Sequence, residues 1–323
     1  MEEQQTWRDL LGKIISNAQE KQRIAKTLGV NPVTLLRWAT NKSNPRQDNL
    51  RQLVDTLPGY RQQLIELVAK EYPQIFGDIN KSEDIPLEIP STFYAHVLNA
   101  HTTTPAMLRA SSVCTLILQQ ILAHLDPRHL GMLVAIAQCV TPKSDCSVHS
   151  LRQTVYRGTY PWNTLNEQVV FYGAESQIGQ AISSGHAVVT QSKEEKRRLY
   201  PIHFVDEEES SAAFPILIAG RAAGCLYIAS TRRDYFSHAR LALIQCYTDL
   251  MVLAFEERDF YSLDKIELRV MPEPYKQQPH IIGLQQNIIQ KMLRSAQEGK
   301  AITRPEAELL VWQETEERLL HER

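Results

Sequence analysis

Basic side chains are concentrated in the first fifty residues of this 323-residue chain. From Arg8 to Arg51 there are nine lysines and arginines against three acidic residues, a local net charge of +6, so the rest of the chain carries −8 to reach the overall −2. Lysine and arginine can neutralise the phosphates of a nucleic acid and release its condensed counterions. The same charges would also suit a solvated surface, so charge alone leaves both interpretations open.

Thiols provide a second possible chemistry. The five cysteines are an odd set without a CxxC pair or a metal-type Cys/His spacing, which argues against a disulfide scaffold and a zinc ribbon. Cys139 and Cys146 flank a short segment in which Lys143 would favour a thiolate at Cys146, so the two cysteines are candidates for a redox switch. The alternative is that Cys139 is a small buried apolar residue and Cys146 an idle loop thiol.

Helical periodicity predicts the elements that position the basic residues. Apolar spacing and capping residues predict helices over about 6–15, 20–28, 33–39, 47–57 and 60–72. Gly29 suits the left-handed turn after the second helix, Asn31 suits the N-cap of the third, and Pro32 suits its first position. We therefore expect an all-α domain over residues 1–76, followed by a polar linker over 77–92.

The segment from Ile24 to Trp38, continuing to Asn44-Pro45, resembles the XRE, or lambda repressor-like, helix-turn-helix family. The resemblance is carried by Ala25, Gly29, Val30, the Arg37-Trp38 pair and Pro45, and it covers about the first seventy residues. It implies that the third helix reads a double-stranded DNA operator.

The residues that this resemblance would place on DNA are Lys21, Gln22, Pro32, Val33, Thr34, Arg37, Lys42, Ser43 and Arg46. Arg37 is the candidate for reading guanine O6 and N7, because a guanidinium donates in a two-pronged geometry, and Val33 can offer methyl contact with thymine. Lys21 and Gln22 would lie beside phosphate, and Lys42, Ser43 and Arg46 suit backbone phosphates, which position the protein without specifying sequence. Alternatively, the helical module binds protein and Arg37 pairs with an acid.

The segment over 93–262 mixes strands with helices and predicts one α+β domain. Its helix-to-strand run over 173–189 and the hairpin formed by 211–218 and 223–230 resemble GAF domains. The resemblance implies an antiparallel sheet flanked by helices, with a pocket on one face. It names no ligand, although the signatures for cyclic nucleotides and for bilin attachment are absent.

Candidate pocket residues are Tyr156, Tyr160, Trp162, Tyr172, Gln177 and His203, because ligand sites combine aromatic walls with few polar groups. The alternative is that these rings are plain core. Histidines 149, 186 and 203 lack the helix-type spacing of metal ligands, so we expect no metal site. Residues 263–323 predict a helical C-terminal extension with two amphipathic helices.

Together these features predict a multidomain transcription regulator whose GAF-like domain senses a small-molecule effector or a redox signal, or mediates dimerisation. We expect a cytoplasmic homodimer on an inverted-repeat operator, without membrane association, because no signal peptide or long apolar run is found. No cofactor can be named. The open alternatives are a thiol reductase of the GAF type and a non-sensing assembly factor, but we expect no catalytic activity.

Overall fold

The computed structural model describes residues 6–57, 60–72, 88–143, 147–164, 169–203 and 205–321. The chain forms two compact units, Met1–Asp84 and Ile85–Arg323. The described part of the first unit is helical, and the second unit combines an antiparallel sheet with helices.

Five helices make up the described part of the first unit: α1 (Trp7–Ile15), α2 (Ala18–Thr27), α3 (Pro32–Ala39), α4 (Gln47–Thr56) and α5 (Arg61–Glu71). α1 begins at a capping box between Thr6 and Asp9. α2 begins two residues earlier than expected, because the side chain of Asn17 accepts from the amides of Gln19 and Glu20. The unit has its own core, with fully buried side chains such as Trp7, Leu11, Ile24, Leu35, Leu50, Leu53 and Leu64.

The described residues of the second unit contain seven antiparallel strands: β1 (Met132–Cys139), β2 (Leu151–Gly158), β3 (Phe171–Tyr172), β4 (Val188–Thr190), β5 (Ser210–Ile218), β6 (Arg221–Ser230) and β7 (Tyr261–Ser262). The sheet order is β3-β2-β1-β6-β5-β4, and β7 pairs with β6. β6 is central and almost wholly buried. The hairpin between β5 and β6 turns at Ala219 and Gly220, both with positive φ, a conformation that glycine adopts readily.

The two faces of this sheet have separate cores. On β1, Val134 and Ile136 join a core formed with the helices α6 (Ser91–Thr103), α7 (Ala106–Leu125) and α10 (His238–Met251). Ala135 and Ala137 point to the opposite face, where α8 (Gln177–Ser184) packs and where α9 (Lys193–Leu199) follows β4. This second face leaves room for a cavity.

Two helices of the second unit differ from expectation. α6 was not expected, and only Phe93 and Val97 on it are buried, so its sequence carries little apolar periodicity. Apolar periodicity predicts one helix over 238–260, but α10 ends at Met251, and short 3-10 turns then carry Phe255 and Phe260 into the core.

Three C-terminal helices pack against the open side of β3: α11 (Pro274–Ile281), α12 (Leu284–Gln297) and α13 (Arg304–His321). The amide side chain of Gln277 accepts from Phe171 N at 2.7 Å and donates to Phe171 O at 2.9 Å, so it satisfies the edge strand as a neighbouring strand would. Trp312 of α13 packs on Phe171 and under the guanidinium of Arg152, which lies 4.1 Å from the indole centroid. The extension thus belongs to the second unit.

α7 is the one described helix that is long and apolar enough to span a membrane by length and composition. A core helix of a globular domain meets the same criteria. Here Ile117, Leu118 and Ile121 are fully buried in the core beneath the sheet.

Candidate functional site

A tight turn joins α2 to α3 in the first unit. Gly29 has φ of +62°, and the amide of Val30 donates to Ala25 O at 3.0 Å. The side chain of Asn31 then accepts from the amide of Val33 and caps α3, with Pro32 at its first position. The backbone over 28–33 follows the local chemistry read from the sequence.

α3 divides into a buried and an exposed face. Leu35 and Trp38 fix the helix to the core, whereas Val33, Leu36 and Arg37 are exposed. Leu36, with 47% of its surface exposed, is a surface residue that the sequence analysis did not single out. Its place between two buried positions, facing the side of Val33 and Arg37, could have been read from the helical period.

The structure places all nine predicted DNA contacts on accessible positions. Gln22, Val33, Arg37, Lys42 and Arg46 are exposed, and Lys21, Pro32, Thr34 and Ser43 are half-buried. From Lys21 to Gln47 the chain contains six lysines and arginines and no acidic residue. The surface around α3 is therefore strongly basic, and the individual contacts stay predictions.

Arg8 is not part of this basic surface. It is 7% exposed, and its guanidinium donates to Trp38 O at 2.7 Å, to Asn44 Oδ1 at 3.0 Å and to Glu71 Oε1 at 2.7 Å. Burial favours a higher pKa for Glu71, but hydrogen bonds from Arg8 and the Trp7 indole outweigh it and lower the pKa below its ordinary value. This cluster ties α1 and α5 to the C-terminal end of α3.

A cavity of about 440 Å³ opens on the second face of the sheet in the other unit. Of the predicted pocket residues, Tyr156, Trp162, Tyr172, Gln177 and His203 line it, and Tyr160 does not. The further lining residues are Leu133, Gln153, Pro161, Val170, Ser176, Ile178, Lys196, Ile202, Val205, Glu207, Glu208, Tyr227 and Pro274. Its size is that of small-molecule sites, which span about 300–1,000 Å³.

A β-bulge on β2 brings two of these side chains to the cavity. Ile136 pairs with Val155 but Ala137 pairs with Gln153, so Thr154 is an extra residue. Gln153 and Tyr156, three positions apart, would face opposite sides of a regular strand, and the bulge places both at the cavity. Tyr172 OH donates to Gln153 Oε1 at 2.9 Å.

The first turn of α8 lies so close to the preceding backbone that only glycine fits at the third residue of the helix, Gly179. A Cβ on Gly179 would lie 2.0 Å from Gly173 O. The Ser176 hydroxyl caps the helix by accepting from Gly179 N at 2.9 Å. This packing sets Gln177, the first residue of α8, at the floor of the cavity.

Lys196, on α9, is the main cavity residue that the sequence analysis missed. Its ammonium is almost completely buried and lies 2.6 Å from Gln177 Oε1, 2.8 Å from Tyr227 OH, 3.2 Å from Ser211 Oγ and 3.0 Å from Glu208 Oε1. Burial lowers the pKa of Lys196, and the Glu208 carboxylate opposes this shift. Burial, with the same carboxylate, also raises the pKa of Tyr227. Lys196 lies in a run of charged residues typical of a solvated helix, so its sequence gives no signal of burial.

Besides the contacts of Lys196, the cavity wall has a second polar contact, which His203 forms with Glu175. Its Nε2 lies 2.8 Å from Glu175 Oε1, and its ring centroid lies 5.1 Å from that of Tyr172. Glu175 also accepts from the amides of Gly173 and Met271 at 2.9 Å. Burial would raise the pKa of Glu175, but these hydrogen bonds lower it overall, so this carboxylate holds the wall together as an anion.

The structure describes only one of the two cysteines that were predicted as a possible redox switch, Cys139 and Cys146. Cys146 lies outside the described residues. Cys139 is buried on β1, as the alternative interpretation expected, and burial raises its pKa to about 12, which leaves little thiolate at neutral pH. Among the described residues, no group of three or more His, Cys, Asp or Glu side chains converges as metal ligands would.

No protein-family model and no curated protein matches the chain. Among similar solved structures, the GAF domain of an Acinetobacter phosphoenolpyruvate-protein phosphotransferase is 10% identical with a TM-score of 0.39, covering 51% of this chain and 93% of that chain. The type II free methionine-R-sulfoxide reductase of Thermoplasma acidophilum is 14% identical with a TM-score of 0.36, covering 49% and 96%. The corresponding reductase of Neisseria meningitidis, in complex with its substrate, is 16% identical with a TM-score of 0.36, covering 53% and 94%. Each of these similarities covers about half of this chain and nearly all of the other chain.

These similar structures correct one expectation from the sequence. We expected no catalytic activity, and this expectation is contradicted, because the similar structures include free methionine-R-sulfoxide reductases beside GAF domains. The likeness concerns the fold alone and assigns no reaction to this chain.

Proposed function

We propose that this protein is a cytoplasmic transcription regulator that binds double-stranded DNA through α3. The observation that carries the proposal is the exposed face of α3, set within a segment of six basic residues and no acidic one from Lys21 to Gln47. Phosphate attraction favours such a surface, and the exposed side chains of α3 would meet base edges in the major groove.

In this proposal the residues of the face have different roles. Arg37 reads a guanine, and Val33 contacts a thymine methyl group. Lys42, Ser43 and Arg46 hold phosphates, with Lys21 and Gln22 at the start of α2 beside the same strand. Pro32 and Thr34 approach the groove at the N-terminal end of α3.

The second unit supplies regulation. Its cavity binds a small-molecule effector, and its exposed helices allow two copies to pair on an inverted repeat. The support is the interior of the cavity, where buried, hydrogen-bonded polar groups lie beside aromatic and aliphatic side chains.

Selection of binding sites from random DNA duplexes by the full-length protein tests the DNA-binding part. We expect an enriched motif of two inverted half-sites, with centres about 34–36 Å apart, and an affinity that falls steeply with salt. The double variant Arg37→Ala/Arg46→Ala should lose this enrichment. As a matched control, Arg197→Ala/Arg198→Ala removes the same charge from the second unit and should keep it. No enrichment by the unaltered protein rejects the proposal.

A further inference from the structure

The charges around the cavity point to the class of its ligand. In the part of the chain that the structure describes, one lysine, two glutamates and one histidine are among the lining residues: Lys196, Glu207, Glu208 and His203. With the histidine neutral, the lining carries a net charge of −1. A ligand that adds another negative charge would enter a site whose described lining already has one more anion than cations.

Lys196 cannot balance an incoming anion. An ammonium has three N–H donors, and four oxygens already lie within 3.2 Å of this one. If a ligand carboxylate took the place of Glu208, it would leave a nearly completely buried carboxylate without its counterion, which is costly. The Lys196–Glu208 ion pair therefore adds no net charge to the floor of the cavity.

Glu207 lies at the solvent side of the cavity and is differently placed. The neighbouring Asp206 receives both nearby cations, with Lys193 Nζ at 3.4 Å and Arg197 Nη2 at 3.9 Å. Glu207 is exposed, and its carboxylate has no hydrogen-bond or ion-pair partner among the described residues. It thus leaves one negative charge facing the opening.

The walls near this charge are aromatic. Tyr156, Trp162 and Tyr172 line the cavity with the imidazole of His203, while Leu133, Ile178 and other aliphatic groups line its remainder. The faces of aromatic rings attract cations through their quadrupoles. An acidic opening, aromatic walls and an apolar remainder together suit a positively charged head on an apolar body.

We propose that the cavity takes a small organic cation, with an ammonium or amidinium head near Glu207 and an apolar body against the sheet. This inference rests on the effector cavity of the proposed function and names the class of that effector. Anionic molecules such as nucleotides and carboxylic acids are excluded by the same charges.

Tryptamine, tryptophol and indoleacetate, which share a ring system and differ in charge, test the proposal on the full-length protein without DNA. Calorimetry should show tryptamine binding about tenfold more tightly than indoleacetate, with tryptophol between them. Glu207→Gln should weaken tryptamine binding roughly threefold and leave tryptophol binding unchanged, because only the charged head loses an interaction. Glu194→Gln alters an exposed residue of α9 that does not line the cavity, and it should change the affinity of neither tryptamine nor tryptophol.

Preference for indoleacetate, an unchanged tryptamine affinity in Glu207→Gln, or no binding of any of the three at millimolar concentration overturns the ligand class. Because DNA is absent from these measurements, its failure is separate from failure of the proposed regulator. Tryptamine binding together with an absence of site-specific DNA binding would keep the ligand class and reject the regulatory function.

Discussion

Arg37 is the single residue to which the proposed function gives the reading of a base. It is exposed, it lies one helical turn from the exposed Val33, and its backbone carbonyl accepts from the amides of Lys42 and Ser43 at 2.8 and 3.3 Å. These bonds fix the loop after α3 directly against the residue that would enter the groove. In the proposed regulator, the base contact and its flanking phosphate contacts would thereby lie in one hydrogen-bonded segment.

Arg37→Ala should cost about 1–3 kcal/mol on the selected operator and relax the preference at one base position, because a two-pronged guanine contact is lost. Fluorescence anisotropy on operators altered one position at a time measures both effects. Lys42→Ala serves as the contrast: it should weaken all sequences equally and reduce the salt slope by about one unit. If Arg37→Ala behaves in the same way as Lys42→Ala, Arg37 is a phosphate contact.

Glu71 makes the stability of the first unit depend on pH. Its pKa is lowered in the folded state, so its contribution is complete above the ordinary value of 4.5 and is lost as the pH falls below it. Urea unfolding of residues 1–76, followed by the fluorescence of Trp7 and Trp38, should therefore lose more stability between about pH 5 and pH 3 in the unaltered fragment than in Glu71→Gln. Asp48→Asn, at the exposed start of α4, should keep the unaltered slope; equal slopes in all three would show that the Arg8 cluster does not hold Glu71 ionised.

Single residues could be predicted where their neighbours in sequence determine their role. Asn31 and Pro32 specify the start of α3 by local chemistry, and five of the six suggested pocket residues line one cavity. Arg8 and Lys196 could not be assigned, because their partners are distant: Glu71 lies 63 residues from Arg8, and Tyr227 lies 31 residues from Lys196. A charge pattern does not reveal which lysine or arginine is buried.

At the scale of elements, α13 is attached to the sheet through a carboxyl group with an unusual environment. Ser150 Oγ donates to Glu316 Oε1 at 2.5 Å, and both side chains are buried. Burial raises the pKa of Glu316 to about 7. The packed helix therefore prefers the protonated acid, whereas the released helix would ionise near its ordinary value of 4.5.

Docking of α13 should accordingly weaken as the pH rises. The folded form binds the proton more tightly, so stability falls between about pH 4.5 and pH 8, by an amount on the order of 3 kcal/mol. Hydrogen exchange over residues 304–321 should be faster at pH 8 than at pH 6 after correction for the intrinsic rate. Glu316→Gln, which stays neutral, should abolish this difference, and Glu298→Gln, at the exposed end of α12, should retain it. An unchanged difference in Glu316→Gln would assign the pH dependence to another group.

Elements with local signals were predicted better than those that depend on pairing. A glycine is a local signal for a helix end or a tight turn: Gly185, with φ of +66°, ends α8, and Gly220 lies in the turn of the β5–β6 hairpin. The bulge at Thr154 had no signal, because it results from the register of β1 against β2. The cavity depends on this bulge, so the sequence could suggest its aromatic residues without giving the geometry that joins them.

At the scale of the whole molecule, the basic segment from Arg8 to Arg51 is joined to a remainder with a net charge of −8 on one chain. A single recognition helix covers too few base pairs for useful genomic specificity, and repressor-like domains therefore bind as dimers on two half-sites. Among the described residues of the first unit, the exposed large apolar side chains are Val33, Leu36 and Tyr60. The second unit exposes Leu98, Met107, Leu108, Ile289 and Leu293 on its helices, which favours pairing through this unit.

Residues 1–76 alone should fold, remain monomeric and bind the operator weakly, because they keep their own core but lose the partner copy. A full-length dimer would bind its second half-site at the high effective concentration that a tether provides, which would raise affinity by about 10²- to 10⁴-fold over one module. Sedimentation of both proteins with and without operator, together with anisotropy on whole and half operators, measures this difference. Full-length protein should bind the whole operator as two copies, and the fragment should bind whole and half operators with similar affinity per site. A fragment that equals the full-length protein in affinity and stoichiometry would show that the second unit takes no part in DNA binding, and the cavity could then act on DNA only by a route other than the pairing of two copies.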